Sequence, residues 1–226
     1  HDCDLLLDQN LGRTKEDYTD LLVGNTKVLI GPNYALLRPE FTRYRQQSLK
    51  RRESPILKRL LITMGGVDKD IYTSRVLDVL NACVLPNDIQ ITVVMGAQAL
   101  HLQQVKSQVK AMKCATNVVV DVKNMAQLMA DSDLVIGGAG GTAWERCVLG
   151  LPSLVLCIAN NQALGLLALQ DEGAVVEVKA VDQVKQALEI IVDSSLLKRI
   201  SMSAARILDG AGTLRVASSM VNDDKR

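Results

Sequence analysis

Residues 134–152 read LVIGGAGGTAWERCVLGLP, and the residue types in this stretch suit the binding of a phosphate beside a sugar. Gly137, Gly138, Ala139, Gly140 and Gly141 interrupt an apolar run, and a helical pattern (Trp144, Val148, Leu149) follows, closed by Gly150 and Pro152. Glycine admits positive φ and lets a ligand approach the backbone without a Cβ in the way. The first N–H groups of the helix that follows have no partner in its own ladder and lie at the positive end of its dipole, an arrangement that accepts phosphate. Thr142 adds a hydroxyl, and Glu145, one turn on, offers a carboxylate able to accept hydrogen bonds from the two hydroxyls of a ribose. Phosphate on the amides and ribose on the carboxylate together describe a nucleotide. The spacing is not the GxGxxG fingerprint, glycine turns of this kind also occur without a ligand, and Glu145 also reads as a solvated or dipole-favoured helix residue.

The elements that position these residues have a regular rhythm. From Lys58 onward short apolar runs alternate with helical patterns: RLLIT, ITVVMG, NVVVD, the run before the glycines, SLVLC and AVVEV. Runs this short and rich in β-branched residues fit strands of a parallel sheet covered on both faces. Six strand-helix repeats predict an α/β fold, a Rossmann-like doubly wound parallel sheet with right-handed crossovers and ligands beyond the carboxyl ends of its strands. That rim collects Gly65, Gly66 and Asp68, then Gly96, Asn124 and Met125, then residues 137–142, then Asn160, Asn161 and Gln162. Gly65 and Gly66 read as a second close approach to a diphosphate, and Asp68 as a cap on the next helix. Asn161 and Gln162 can bind sugar hydroxyls, although Asn at a strand end is also an ordinary helix cap. Trp144 reads as core packing and His101, inside a helical pattern without acidic or thiol partners, as structural.

Composition removes several function classes. At 226 residues, with 48% hydrophobic and 23% charged residues, the chain is long enough for a full core. A net charge of +1, with one Phe and one Trp, leaves neither an electrostatic footprint nor stacking platforms for nucleic acid. Cys3, Cys83, Cys114, Cys147 and Cys157 are odd in number and far apart, so they read as reduced core residues rather than a disulfide framework or zinc site. No apolar run is long enough to span a bilayer and no secretory leader pattern is visible, so the cytoplasm is the expected location.

The first fifty residues differ. DLLLDQN reads as a buried strand starting almost at once, as in the middle of a longer protein; a short helix is expected over residues 14–22, then a second strand, KVLI, stopped by Gly31-Pro32. Arg43, Arg45, Lys50, Arg51 and Arg52 form a basic run that reads as a solvated linker or helix face in preference to a phosphate-binding patch. Two strands cannot bury Leu5, Leu6 and Leu7 by themselves, so this piece is expected to dock on the main domain, on a second copy of the chain or on a missing domain.

DLLLDQN, GPNYALLRPEF, ITMGGVDKD, NMAQLMADSDLVIGGAGGTAWERCVLGLPSL and ANNQ together resemble the UDP-sugar hydrolases of pseudaminic acid biosynthesis, which act on UDP-2,4-diacetamido-2,4,6-trideoxy-β-L-altropyranose. The resemblance runs from Asp4 to about Gln162. That family is similar in fold to two-domain GT-B glycosyltransferases, in particular the N-acetylglucosaminyltransferase acting on the peptidoglycan lipid precursor. It implies that residues 51–226 are the C-terminal, nucleotide-sugar-binding half of a GT-B-type fold and residues 1–50 a remnant of the N-terminal domain with a linker. It further implies diphosphate on the amides of Gly140, Gly141 and Thr142, ribose on Glu145, and sugar contacts from Asn161 and Gln162. The chain lacks a counterpart of the family's glycine-rich start and basic histidine, and it has Ile71 where relatives commonly have Asn.

The resemblance implies attack of water on the anomeric carbon with UDP leaving, the partner being a UDP-sugar. A glycosyltransferase using a UDP-sugar, or a non-catalytic nucleotide-sugar-binding module, are the alternatives. No cofactor is expected, and no paired carboxylates mark a metal site. The general base is unassigned: the two histidines are His1 and His101, and Asn161 and Gln162 are not bases, so this chain alone is expected to be a poor enzyme. Asp8, Tyr34 and Asp68 are the reserve candidates.

Overall fold

A computed structural model describes residues 2–223; His1 lies outside them. The chain opens with β1 (Leu5–Asp8) and β2 (Lys27–Ile30), which pair in parallel with Leu5 opposite Lys27. The helix expected over residues 14–22 is reduced to a 3₁₀ turn at Glu16–Tyr18. The Asp17 carboxylate accepts from the Thr14 N–H at 2.8 Å at the entry to this turn. Leu5, Leu6 and Leu7 are half-buried.

α1 (Pro39–Arg51) carries the basic run, whose reading as a solvated linker or helix face holds for the exposed Arg43, Lys50 and Arg51 and is corrected at Arg45 and Arg52. Arg43 and Lys50 are exposed, but Arg45 donates to the carbonyls of Val148 and Ala205, and Arg51 pairs with Asp133 at 2.7 Å. Arg52, just past the helix, is 4% exposed and donates to five oxygens. Two of these oxygens belong to Ser48, one turn back, and the other three are carbonyls of Met129, Ala130 and Ser132 at the end of a helix far away in sequence, which no local pattern announces. Phe41 on the same helix is fully buried, worth about 1.5–3 kcal/mol.

The main sheet then alternates with helices: β3 (Arg59–Thr63), α2 (Tyr72–Ala82), β4 (Gln90–Met95), α3 (Leu102–Val109), β5 (Ala115–Val120), α4 (Met125–Asp131), β6 (Leu134–Gly138), α5 (Thr142–Val148), β7 (Ser153–Leu156), α6 (Ala163–Asp171), β8 (Val176–Val178) and α7 (Val184–Ile191). Two closing helices follow, α8 (Ser194–Ile207) and α9 (Gly212–Asp223). The six strands are parallel in the order β5-β4-β3-β6-β7-β8, the Rossmann-like α/β arrangement that the alternation predicts. Successive residues face opposite sides: Leu60, Ile62, Leu134 and Ile136 join the core under α2 and α7, while Leu61, Val135 and Val155 join that under α4, α5 and α6. The order reverses between β3 and β6, and crevices for ligands open at the carboxyl ends of strands at such a point.

Two connections bear on the site. α9 returns to the first residues of the chain: Thr213 exchanges hydrogen bonds with the Leu37 backbone, Arg215 donates to Asn33 O, and Lys27 Nζ to Ser219 O. The loop after β3 has Gly65, Asp68 and Ile71 at positive φ (94°, 44° and 59°), unusual for a β-branched residue such as Ile71. Of the cysteines only Cys147 is buried, its thiol pushed up to about 12 by that burial; Cys157 is exposed and the other three are intermediate, which corrects their reading as core residues. No helix among the described residues is long and apolar enough to cross a membrane.

Candidate functional site

A cleft of ≈ 200 Å³ lies on the rim where the strand order reverses. The turn after β6 forms one wall through Ala139, Gly140 and Gly141; Asn161, Gln162, Gly165 and Leu169 form a second; Gln9 and Asn10, from the loop after β1, form a third. Trp144 is 7% exposed and packs in the core, and it also lines the cleft.

The glycines separate into two groups. A Cβ on Gly96 would sit 2.5 Å from Gly66 O, and one on Gly137 would meet Thr63 O at 2.7 Å, so packing alone demands glycine there. Gly140 would meet nothing closer than Gln162 Nε2 at 3.5 Å, while Gly141 and Gly165 would meet nothing within 4 Å. Gly141 has φ −54° and ψ −22°, which any residue adopts, and Gly165 lies inside α6, where glycine costs about 0.5–1 kcal/mol relative to alanine. Cleft-lining glycines that neither backbone nor packing requires leave the main chain open to close approach from the cleft. At this turn the amides of Ala143 and Trp144 fold back to Gly140 O and Gly141 O at 2.9 and 3.4 Å, leaving those of Gly140, Gly141 and Thr142 as donors the helix does not satisfy.

The amide side chains carry the polar chemistry. Gln162 Oε1 accepts weakly from the Ile158 N–H at 3.4 Å. Gln9 Oε1 accepts from the Leu36 N–H at 2.9 Å, and Asn10 donates through both its backbone and side chain to Asp8. Asp8 also accepts from the Tyr18 hydroxyl, which holds that phenol above its ordinary value, so this reserve candidate for a base is already engaged.

The other expected residues are dispersed along the rim. Glu145 is not among the cleft-lining residues; its carboxylate faces Arg38 at 3.6 Å, burial raising its affinity for a proton and Arg38 opposing the rise. Gly96 packs on Gly66 at the ends of β3 and β4, while Gly65 turns the chain at φ 94° and a Cβ on Gly65 or Gly66 would meet nothing within 4 Å; all three lie outside the cleft walls, and Met125 opens α4. Asp68 accepts from the N–H groups of Tyr72 and Thr73 at 2.9 and 3.0 Å, the expected cap. His101 directly precedes α3. Among the described residues no group of three or more His, Cys, Asp or Glu comes together to hold a metal. Gln9, Asn10 and Gly165 are site residues the sequence reading misses, although a glycine inside the α6 pattern is a visible signal.

Comparison with known proteins agrees with this architecture. A family model described as the glycosyltransferase family 28 C-terminal domain matches residues 59–205. The spore coat polysaccharide biosynthesis protein SpsG of Bacillus subtilis is 25% identical over 177 residues, 74% of this chain and 52% of that protein. An uncharacterized protein of Methanocaldococcus jannaschii, MJ1062, is 32% identical over 113 residues, 49% of this chain and 23% of its own length. The chain therefore spans about half of one curated relative and less than a quarter of the other. Among solved structures, Acinetobacter baumannii MurG superposes with TM-score 0.68 at 18% identity, covering 96% of this chain and 66% of that one. Anabaena HepE, crystallised with UDP and glucose, superposes with TM-score 0.57 at 16% identity over 87% of this chain and 56% of that one. At these identities the structures establish the fold, the C-terminal half of a GT-B arrangement. On the strength of the family match, the chain belongs to the glycosyltransferase family 28 C-terminal domain family.

Proposed function

We propose that the chain binds a UDP-sugar in the cleft beside residues 137–142 and serves transfer of the sugar from UDP to an acceptor. The carrying observation is the set of bare glycines, Gly140, Gly141 and Gly165, on one cleft where no internal contact requires them. A diphosphate on the turn would take the amides of Gly140, Gly141 and Thr142, with the ribose toward Glu145 once that carboxylate turns from Arg38. The side-chain amides of Gln9, Asn10, Asn161 and Gln162 would then surround the sugar. Cleavage between the anomeric carbon and the β-phosphate oxygen leaves its electron pair on UDP, and preorganised amides stabilise the charge that develops there. The family membership and the UDP seen in the HepE structure support this reading.

Hydrolysis, with water as acceptor, is the second reading. It is supported by the stretches DLLLDQN, GPNYALLRPEF and NMAQLMADSDLVIGGAGGTAWERC, which resemble the pseudaminic acid hydrolases, whose sugar is a diacetamido-trideoxy-hexose. None of the four cleft amides is a base at neutral pH, so either reaction draws its base from outside these cleft walls.

Calorimetry with UDP and uridine tests the site: UDP binds the more tightly, and Gly141→Val removes the preference while leaving the fold intact. Equal affinities in the unaltered protein would refute the site. Release of UDP from a UDP-sugar only when an acceptor is added supports transfer; release in its absence supports hydrolysis; binding without release under both conditions would leave a binding module.

A further inference from the structure

Arg146, in the last turn of α5, is 1% exposed, and its guanidinium lies at the end of β6 just where the glycine turn departs. Among the described residues it makes one hydrogen bond, from Nη2 to Gly138 O at 2.9 Å, and Nε and Nη1 have no acceptor. Nη1 lies 2.8 Å from the position a Cβ on Gly137 would take. No carboxylate among the described residues pairs with it: Glu145, next in the chain, faces Arg38, and Asp133 is taken by Arg51. Burial draws the guanidinium down only to about 10, so it is charged at neutral pH. A buried charge without a partner is unfavourable, and packing gives no reason to keep one here, since an apolar side chain would fill the same volume. What would compensate it is an anion on the turn, and surroundings from which water is excluded strengthen that attraction.

We propose that Arg146 is a positioning residue whose buried guanidinium is the standing counter-charge for the diphosphate, uncompensated in the free protein and compensated when ligand settles on the turn. This rests on the nucleotide-sugar reading above. The bond to Gly138 O fixes the strand end from which the turn leaves, and the charge adds to the field of the turn amides. Free protein therefore carries a destabilising charge whose benefit is realised on binding. A purely structural arginine would show the opposite pattern.

The test measures UDP and uridine affinities by calorimetry, and the thermal midpoint without ligand, for the unaltered protein and for Arg146→Met, Arg146→Gln and Arg146→Lys. Arg146→Met is expected to lose about tenfold or more of the preference for UDP over uridine, with uridine affinity unchanged and a midpoint no lower than that of the unaltered protein. Arg146→Lys, which keeps the charge, is expected to retain the preference within about threefold. Retention of the full preference by Arg146→Met would overturn the inference, as would parallel loss of UDP and uridine binding with a lowered midpoint. If Arg146→Met does not fold, the Gln and Lys variants decide: a lower preference in Gln than in Lys supports the inference and equal preferences overturn it. Equal affinities for UDP and uridine in the unaltered protein would instead refute the site itself, a result separable from either failure.

Discussion

Arg52 and Arg146 are 4% and 1% exposed, and burial draws both guanidinium groups down to about 10. Arg52 donates from Nη1 to Ser48 O, Ser48 Oγ and Ala130 O and from Nη2 to Met129 O and Ser132 O, so only its Nε lacks an acceptor. It closes the carboxyl ends of α1 and α4 together, the favourable place for a cation on a helix. Among the described residues Arg146 makes one hydrogen bond, and it sits at the end of β6 where the glycine turn leaves. Two side chains of the same type and burial therefore differ in whether the fold has used up their hydrogen-bonding capacity. Where it has, the residue holds the structure together; where it has not, capacity remains for something that arrives.

That contrast can be broken in solution. Arg52→Met leaves buried carbonyls without a donor and is expected to cost about 3–5 kcal/mol in urea unfolding, far more than Arg146→Met. Similar losses for the two would end the distinction. Gly96→Ala applies the same logic to glycines: its Cβ would meet Gly66 O at 2.5 Å, so a loss of about 1–3 kcal/mol is expected, whereas a side chain at Gly141 meets nothing and leaves stability near that of the unaltered protein. Glu145→Ala sharpens the binding side, weakening UDP by about 1–3 kcal/mol in calorimetry while urea unfolding shifts by less than about 0.5 kcal/mol. A larger loss of stability than of affinity would assign Glu145 to Arg38 rather than to ribose.

The strands, the glycine turn and the Asp68 cap could be read from the sequence because each depends on neighbours a few positions away. The short continuous apolar run in RLLIT, buried on both faces, and the β-branched runs carry the sheet by themselves. The cleft is different, since Gln9 and Asn10 meet Gly140 and Gln162 across more than a hundred residues and no periodicity encodes that meeting. Within the basic run Arg45 and Arg52 escape the reading as solvated surface for a related reason: most of their partners are main-chain carbonyls, which have no residue identity to recognise. Arg146 was passed over because a single arginine in a helical pattern looks like surface until its burial is known.

Ile71 gives the loop after β3 a kinetic character. At φ 59°, directly before α2, it occupies a left-handed conformation that costs a β-branched side chain about 1 kcal/mol or more, a conformation Asn tolerates far better. The departure from Asn noted in the sequence thus concerns backbone shape before any polar contact. Such strain exists only in the closed native loop, so relieving it should act on escape from the native state rather than on the search for it. Ile71→Asn is expected to slow unfolding about fivefold in stopped-flow experiments while refolding proceeds at its former rate. A faster refolding limb would place the loop among the parts of the chain that organise first, and the rim would then be a seed of the fold as well as its ligand edge.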